Sequence, residues 1–140
     1  MTDGLELYQH QHADLRRVAK ALELNLVEAW GIGGAVVARG HLLHLSGKLT
    51  VHLQMEDRGL YPEFLASSDP RVRDTATRFQ DSMGKLKAST DAFFRCWLKP
   101  GAIAASPEEF RTGARALLLA LEQRIAAEAA TLYRLHDQPR

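Results

Sequence analysis

Apolar residues recur at steps of three and four along four stretches of the chain. Leu5, Tyr8, His12, Leu15, Ala19, Leu22 and Leu26 form the first stripe. It is one face of a helix that starts near Thr2 or Asp3 and fades before the GIGG of 31–34. The second stripe runs Leu42, Leu45, Leu49, His52, Glu56, Leu60 and Phe64, and Pro62 near its end predicts a loosened last turn. Asp69 followed by Pro70 reads as a helix start, the aspartate capping free amides and the proline sitting where no donor is missed. The third stripe is Val72, Ala76, Phe79, Met83, Leu86, Thr90, Phe93 and Trp97, ending at the KPG of 99–101. Ser106-Pro107-Glu108-Glu109 has the form of a capping box and opens the fourth, with Phe110, Ala114, Leu117, Leu121, Arg124, Glu128, Leu132 and Leu135. No run alternates with the period of a strand. Four helices of roughly 25–30 residues, each about 40 Å long, predict one all-α domain over 1–140, an antiparallel up-down-up-down four-helix bundle.

Polar residues interrupt three of these stripes at one height. His12 lies about nine residues into the first helix, His52 and Glu56 about ten to fourteen before the end of the second, and Arg124 and Glu128 about seven to eleven before the end of the fourth. In an antiparallel bundle those offsets put all five in one layer, with Met83 facing it as core filler. Burying an unpaired charge costs several kcal/mol, so the layer must be neutralised. One solution is a divalent metal. Histidine nitrogen with carboxylate oxygen suits iron, manganese or zinc, and the four-residue step from His52 to Glu56 lets both reach a shared ion. The other is a salt bridge from Arg124 to Glu56 and Glu128, with the histidines donating hydrogen bonds. The two can coexist.

The two halves of the layer share a pattern. Leu49, His52, Glu56, Leu60 and Tyr61 match Leu121, Arg124, Glu128, Leu132 and Tyr133 at a constant offset of 72 residues. The second copy carries arginine where the first has histidine. Arginine offers no lone pair to a metal, but its charge can stand in for an ion.

With QHADL (11–15), HLQMEDRGLYP (52–62) and RIAAEAATLY (124–133), the sequence resembles the hemerythrin-like HHE cation-binding domains over nearly its whole length. In that family two irons are held in a four-helix bundle by histidines and two bridging carboxylates, and bind dioxygen or related small molecules. The resemblance implies His12 and His52 as ligands of one iron, with Glu56 and Glu128 as the carboxylates. The other iron's ligands are missing: no histidine lies between His52 and His136, and Arg124 replaces the one on the fourth helix. The expectation is a degenerate site with at most one ion, iron first, another divalent metal or none as alternatives. Di-iron oxidases use glutamate first and histidine three residues later, the reverse of the order here.

Composition narrows the rest. The chain has 140 residues, 46% hydrophobic and 25% charged, with 18 Lys and Arg against 17 Asp and Glu. That balance excludes disorder and gives no global field for nucleic acid or an anionic membrane. No apolar run reads as a membrane span or a secretory signal, and the single cysteine, Cys96, needs no oxidising compartment, so a cytoplasmic protein is expected. His10, His41, His44 and His136 fall off the stripes and are read as solvated. Trp30 and Trp97 are read as packing the far end of the bundle or an interface, and Tyr61 and Tyr133 as hydrogen-bonding near helix ends. Two functions follow. One is a non-enzymatic metal-binding bundle that binds or senses dioxygen, nitric oxide or the metal itself. The other is a metal-free interaction or regulatory module closed by Arg124. A homodimer is left open.

Overall fold

Helix α1, Gly4–Val27, buries the stripe read from the sequence, with Leu15, Leu22 and Leu26 almost wholly inside. The computed structural model describes residues 4–136. The helix start expected near Thr2 or Asp3 and the side chain of His136 lie outside the described residues. Gly33, at φ 90, takes the left-handed conformation that starts α2, Gly34–Met55. A π-helical turn, Glu56–Leu60, then leads without a break into α3, Tyr61–Leu65.

The loosening expected near Pro62 therefore comes one turn earlier. An equivalent π turn, Glu128–Leu132, occurs in the fourth rod with no proline near it, so proline is not its cause. Pro62 sits in the first turn of α3.

The third rod is α4, Pro70–Trp97, opened by the Asp69 side chain, which accepts from the Arg71 amide at 2.9 Å. A short helix, α5, Ala102–Ala105, follows Gly101 and was not legible in the sequence. The fourth rod is α6, Pro107–Ala127, its π turn, and α7, Tyr133–His136. The Ser106–Glu109 capping box does not form, since Ser106 makes no side-chain cap bond. Its amide instead bonds the Ala102 and Ile103 carbonyls at 3.3 Å and closes α5, which fixes Ser106 before the fourth rod begins.

Short connections make the four rods alternate in direction around one core. At one end Trp30, Phe93 and Trp97 surround the buried Phe110, with ring centroids 5.5–6.2 Å away, as expected for the two tryptophans. His12, His52, Glu56 and Glu128 are buried in another layer.

The Asp69 cap is worth about 1 kcal/mol. Urea unfolding of Asp69→Ala should show a loss of that size, and an unchanged midpoint would show that the start of α4 does not depend on it.

Candidate metal centre

Three rods supply the polar layer. His12 comes from α1, His52 from α2, and Glu56 and Glu128 are the first residues of the two π turns. One donor atom from each of the four lies within 4.8 Å of all the others, and all four side chains are buried. Both imidazoles turn Nε2 toward Glu128 Oε1, His12 at 2.7 Å and His52 at 3.3 Å. The two ring nitrogens are 3.2 Å apart, and His52 Nε2 is 3.4 Å from Glu56 Oε2.

The π turns set which residues join this layer. Each carries a hydrogen bond from the amide of residue i+5 to the carbonyl of i, Tyr61 to Glu56 and Tyr133 to Glu128. The wider turn rotates the fifth residue back toward the face of the glutamate, so each tyrosine enters the layer instead of leaving it. Tyr133 donates to Glu56 Oε2 at 3.1 Å and lies 3.0 Å from His12 Nε2. Tyr61 accepts from Arg124 Nη2 at 2.5 Å. Each tyrosine thus serves the copy of the repeat to which it does not belong. Tyr8 donates to the Met55 carbonyl, just before the first π turn, at 3.0 Å. A Cβ on Gly59 would stand 2.8 Å from that hydroxyl, so glycine clears its approach.

Arg124 occupies the other side of Glu128. Its Nε donates to Oε2 at 3.0 Å, Nη2 to the Phe79 carbonyl at 3.0 Å and Nη1 to Ser82 Oγ at 2.6 Å. The guanidinium also lies 4.9 Å from the centre of the Phe79 ring. The bridge to Glu56 expected from the sequence is not among the ion pairs of the described residues. The fork is fully used by Glu128, Tyr61 and α4, while Glu56 is held by His52 and Tyr133.

One positioning residue escaped the sequence reading. His52 Nδ1 lies 2.7 Å from Gln11 Oε1, and the Gln11 amide nitrogen faces Met55 Sδ at 2.9 Å. Gln11 therefore accepts and His52 Nδ1–H donates, which leaves Nε2 aimed at the centre, a common orienting arrangement for a ligating imidazole. Its only mark in the sequence is standing beside His12. Elsewhere, Met83 is buried in the core, His41 is half-buried, and His10, His44 and Cys96 are exposed away from the cluster.

Burial would push His52 down, yet its bonds to Glu128 and Glu56 outweigh this and hold it up at about 9. Burial raises Glu56 to about 7. Burial opposes ionisation of Glu128 as well, but His12 and His52 hold its carboxyl well below the usual range. Burial beside the two acids pushes both Tyr61 and Tyr133 hydroxyls far up, so each stays neutral.

The residues present fit one cation. Glu56 Oε1 is buried with no hydrogen-bond partner, an arrangement that costs about 1–3 kcal/mol unless something binds it. Two nitrogens and two carboxylates facing one point form a donor set suited to iron, manganese or zinc. A second ion does not fit. Arg124 holds Glu128 Oε2, and among the described residues no further His, Cys, Asp or Glu joins the group.

Residues 3–135 match the family model described as the hemerythrin HHE cation binding domain. No curated protein and no solved structure matches the chain.

Two outcomes follow from this electrostatic arrangement. Arg124→Ala leaves the buried Oε2 of Glu128 without its partner and should destabilise metal-free protein by about 3–5 kcal/mol, read by urea unfolding. A near-neutral result would show that Glu128 is neutralised without it. In the folded chain Glu56 and His52 bind protons more tightly than their ordinary values of 4.5 and 6.5 allow. Each stabilises the fold below its ordinary value and stops doing so as pH rises through about 7 and about 9. Melting temperature in chelator should therefore fall between about pH 5 and 9. A rising profile would contradict the assignment.

Proposed function

The chain belongs to the hemerythrin HHE cation-binding domain family, and from that membership we propose that it holds a single iron ion on His12, His52, Glu56 and Glu128. In this reading it is a cytoplasmic, non-enzymatic binder or sensor of a small species such as dioxygen or nitric oxide. The observation that carries it is the buried cluster of His12, His52, Glu56 and Glu128, one donor atom of each within 4.8 Å of all the others, in which Glu56 keeps one oxygen, Oε1, without a partner. When bound, the iron would supply a redox-active Lewis-acidic position for a diatomic molecule. The protein's own groups do the rest. Gln11 fixes the His52 ring, Arg124 neutralises the outer oxygen of Glu128, and Tyr133 keeps its proton on a hydroxyl 3.0–3.4 Å from His12, Glu56 and Glu128. No helix among the described residues is long and apolar enough to cross a membrane.

A metal-free interaction or regulatory module is the second reading, favoured by one feature. Both oxygens of Glu128 already have protein partners, Arg124 on one side and the imidazoles on the other.

Elemental analysis of protein purified with iron present separates the two. The proposal expects bound metal that His52→Ala abolishes, and uptake that Arg124→His raises by restoring a donor. Stoichiometric absence of metal from the folded parent would leave the metal-free module.

A further inference from the structure

Helix α2 is apolar on two faces. Ala38, Leu42, Leu45, Leu49 and Leu53 fill the core, while Val36, Val37, Leu43 and Val51 lie on the outside at 74%, 53%, 54% and 51% exposure. Gly40 and Gly47 stand between these on the same outer arc and are also exposed. Each glycine inside a helix costs about 1 kcal/mol against alanine. Nothing in the folded chain accounts for them: neither has a positive φ, and a Cβ on either would meet nothing within 4 Å. Gly84 on α4 is equally free, but Asp81, Ser82, Lys85 and Lys87 around it are exposed polar residues.

The outer arc reads the same in both directions from a point between Leu43 and His44. Val36 mirrors Val51, Val37 mirrors Thr50, and Gly40 mirrors Gly47. At about 100° per residue, a line through that point leaves the helix at the middle of this arc. We propose that this face of α2 packs against the same face of a second copy, antiparallel, about a twofold axis between Leu43 and His44.

The symmetry decides what meets. Gly40 faces Gly47 of the other copy, so the two backbones approach closely, and valine meets valine at both ends of the contact. Leu43 packs on Leu43 of the other copy on one side of the arc, and His44 on His44 on the other. A groove beside α2 is lined by Leu43, Gly47 and Val51. Leu7, also lining that groove, and Ile32 beyond the start of α2 extend the apolar area at either end.

Sedimentation of the full chain at tens of micromolar should give twice the chain mass. Leu43→Glu, on an exposed helical position, should weaken association at least tenfold while leaving the helical circular dichroism unchanged. Register is read by crosslinking in a Cys96→Ser background. Val36→Cys combined with Val51→Cys should form a disulfide-linked dimer on oxidation. Val36→Cys alone should not, since the axis holds the two copies of residue 36 about 22 Å apart. A monomer at these concentrations, a dimer indifferent to Leu43→Glu, or crosslinking by Val36→Cys alone would each overturn the proposal. Binding of the same face to another protein or to lipid by a monomeric chain would do so too.

Discussion

Two carboxylates lie inside a helical bundle, and the arrangement of the polar layer follows from neutralising them. Glu56 and Glu128 are 0% and 1% exposed, where an unpaired charge would cost more than a small domain can lose. The molecule answers the two acids differently. Glu128 is saturated, its two oxygens divided between the imidazoles and Arg124. Glu56 has one oxygen served by Tyr133 and His52 and one that nothing in the protein serves. That asymmetry follows from the arginine. On one side of Glu128 a fixed cation on α6 reaches α4 through Ser82 and Phe79, and on the other side the two imidazoles converge with Tyr133.

The asymmetry is laid over a repeat. Both copies begin a π turn at the glutamate and place a tyrosine five residues later on the site face. An α-helical turn would swing that tyrosine some 140° away from the acid, and the wider turn recovers roughly half of that angle. The tyrosines then cross over, Tyr133 to Glu56 and Tyr61 to Arg124, so each half of the layer is held partly by the other. Gly59 lets Tyr8 brace the first turn from α1, an approach that a Cβ would obstruct.

Much of this was legible in the sequence because it is periodic. The stripes on α1, α2, α4 and α6 gave the rods, and the polar residues that broke them gave His12, His52, Glu56, Arg124 and Glu128 at one height. The features that escaped have no period. Gln11 lies off the stripe and acts through a side-chain contact with another helix. The π turns change the register by a fraction of a turn, which leaves apolar spacing almost intact. Placing Tyr61 and Tyr133 near helix ends therefore missed their entry into the site. The Ser106 box failed because α5, a helix of four residues too short to show a stripe, claims the Ser106 amide first. The outer face of α2 is periodic too, but periodicity alone does not distinguish a face that meets the core from one that meets another molecule.

The central claim is that one ion and one arginine share the work of two ions. X-ray absorption at the metal edge of iron-loaded protein tests it most directly. The account predicts a single iron per chain in a shell of imidazole nitrogen and carboxylate oxygen, with no metal neighbour at the about 3.5–4 Å typical of paired sites. A metal–metal scattering path, or a shell without imidazole, would contradict it.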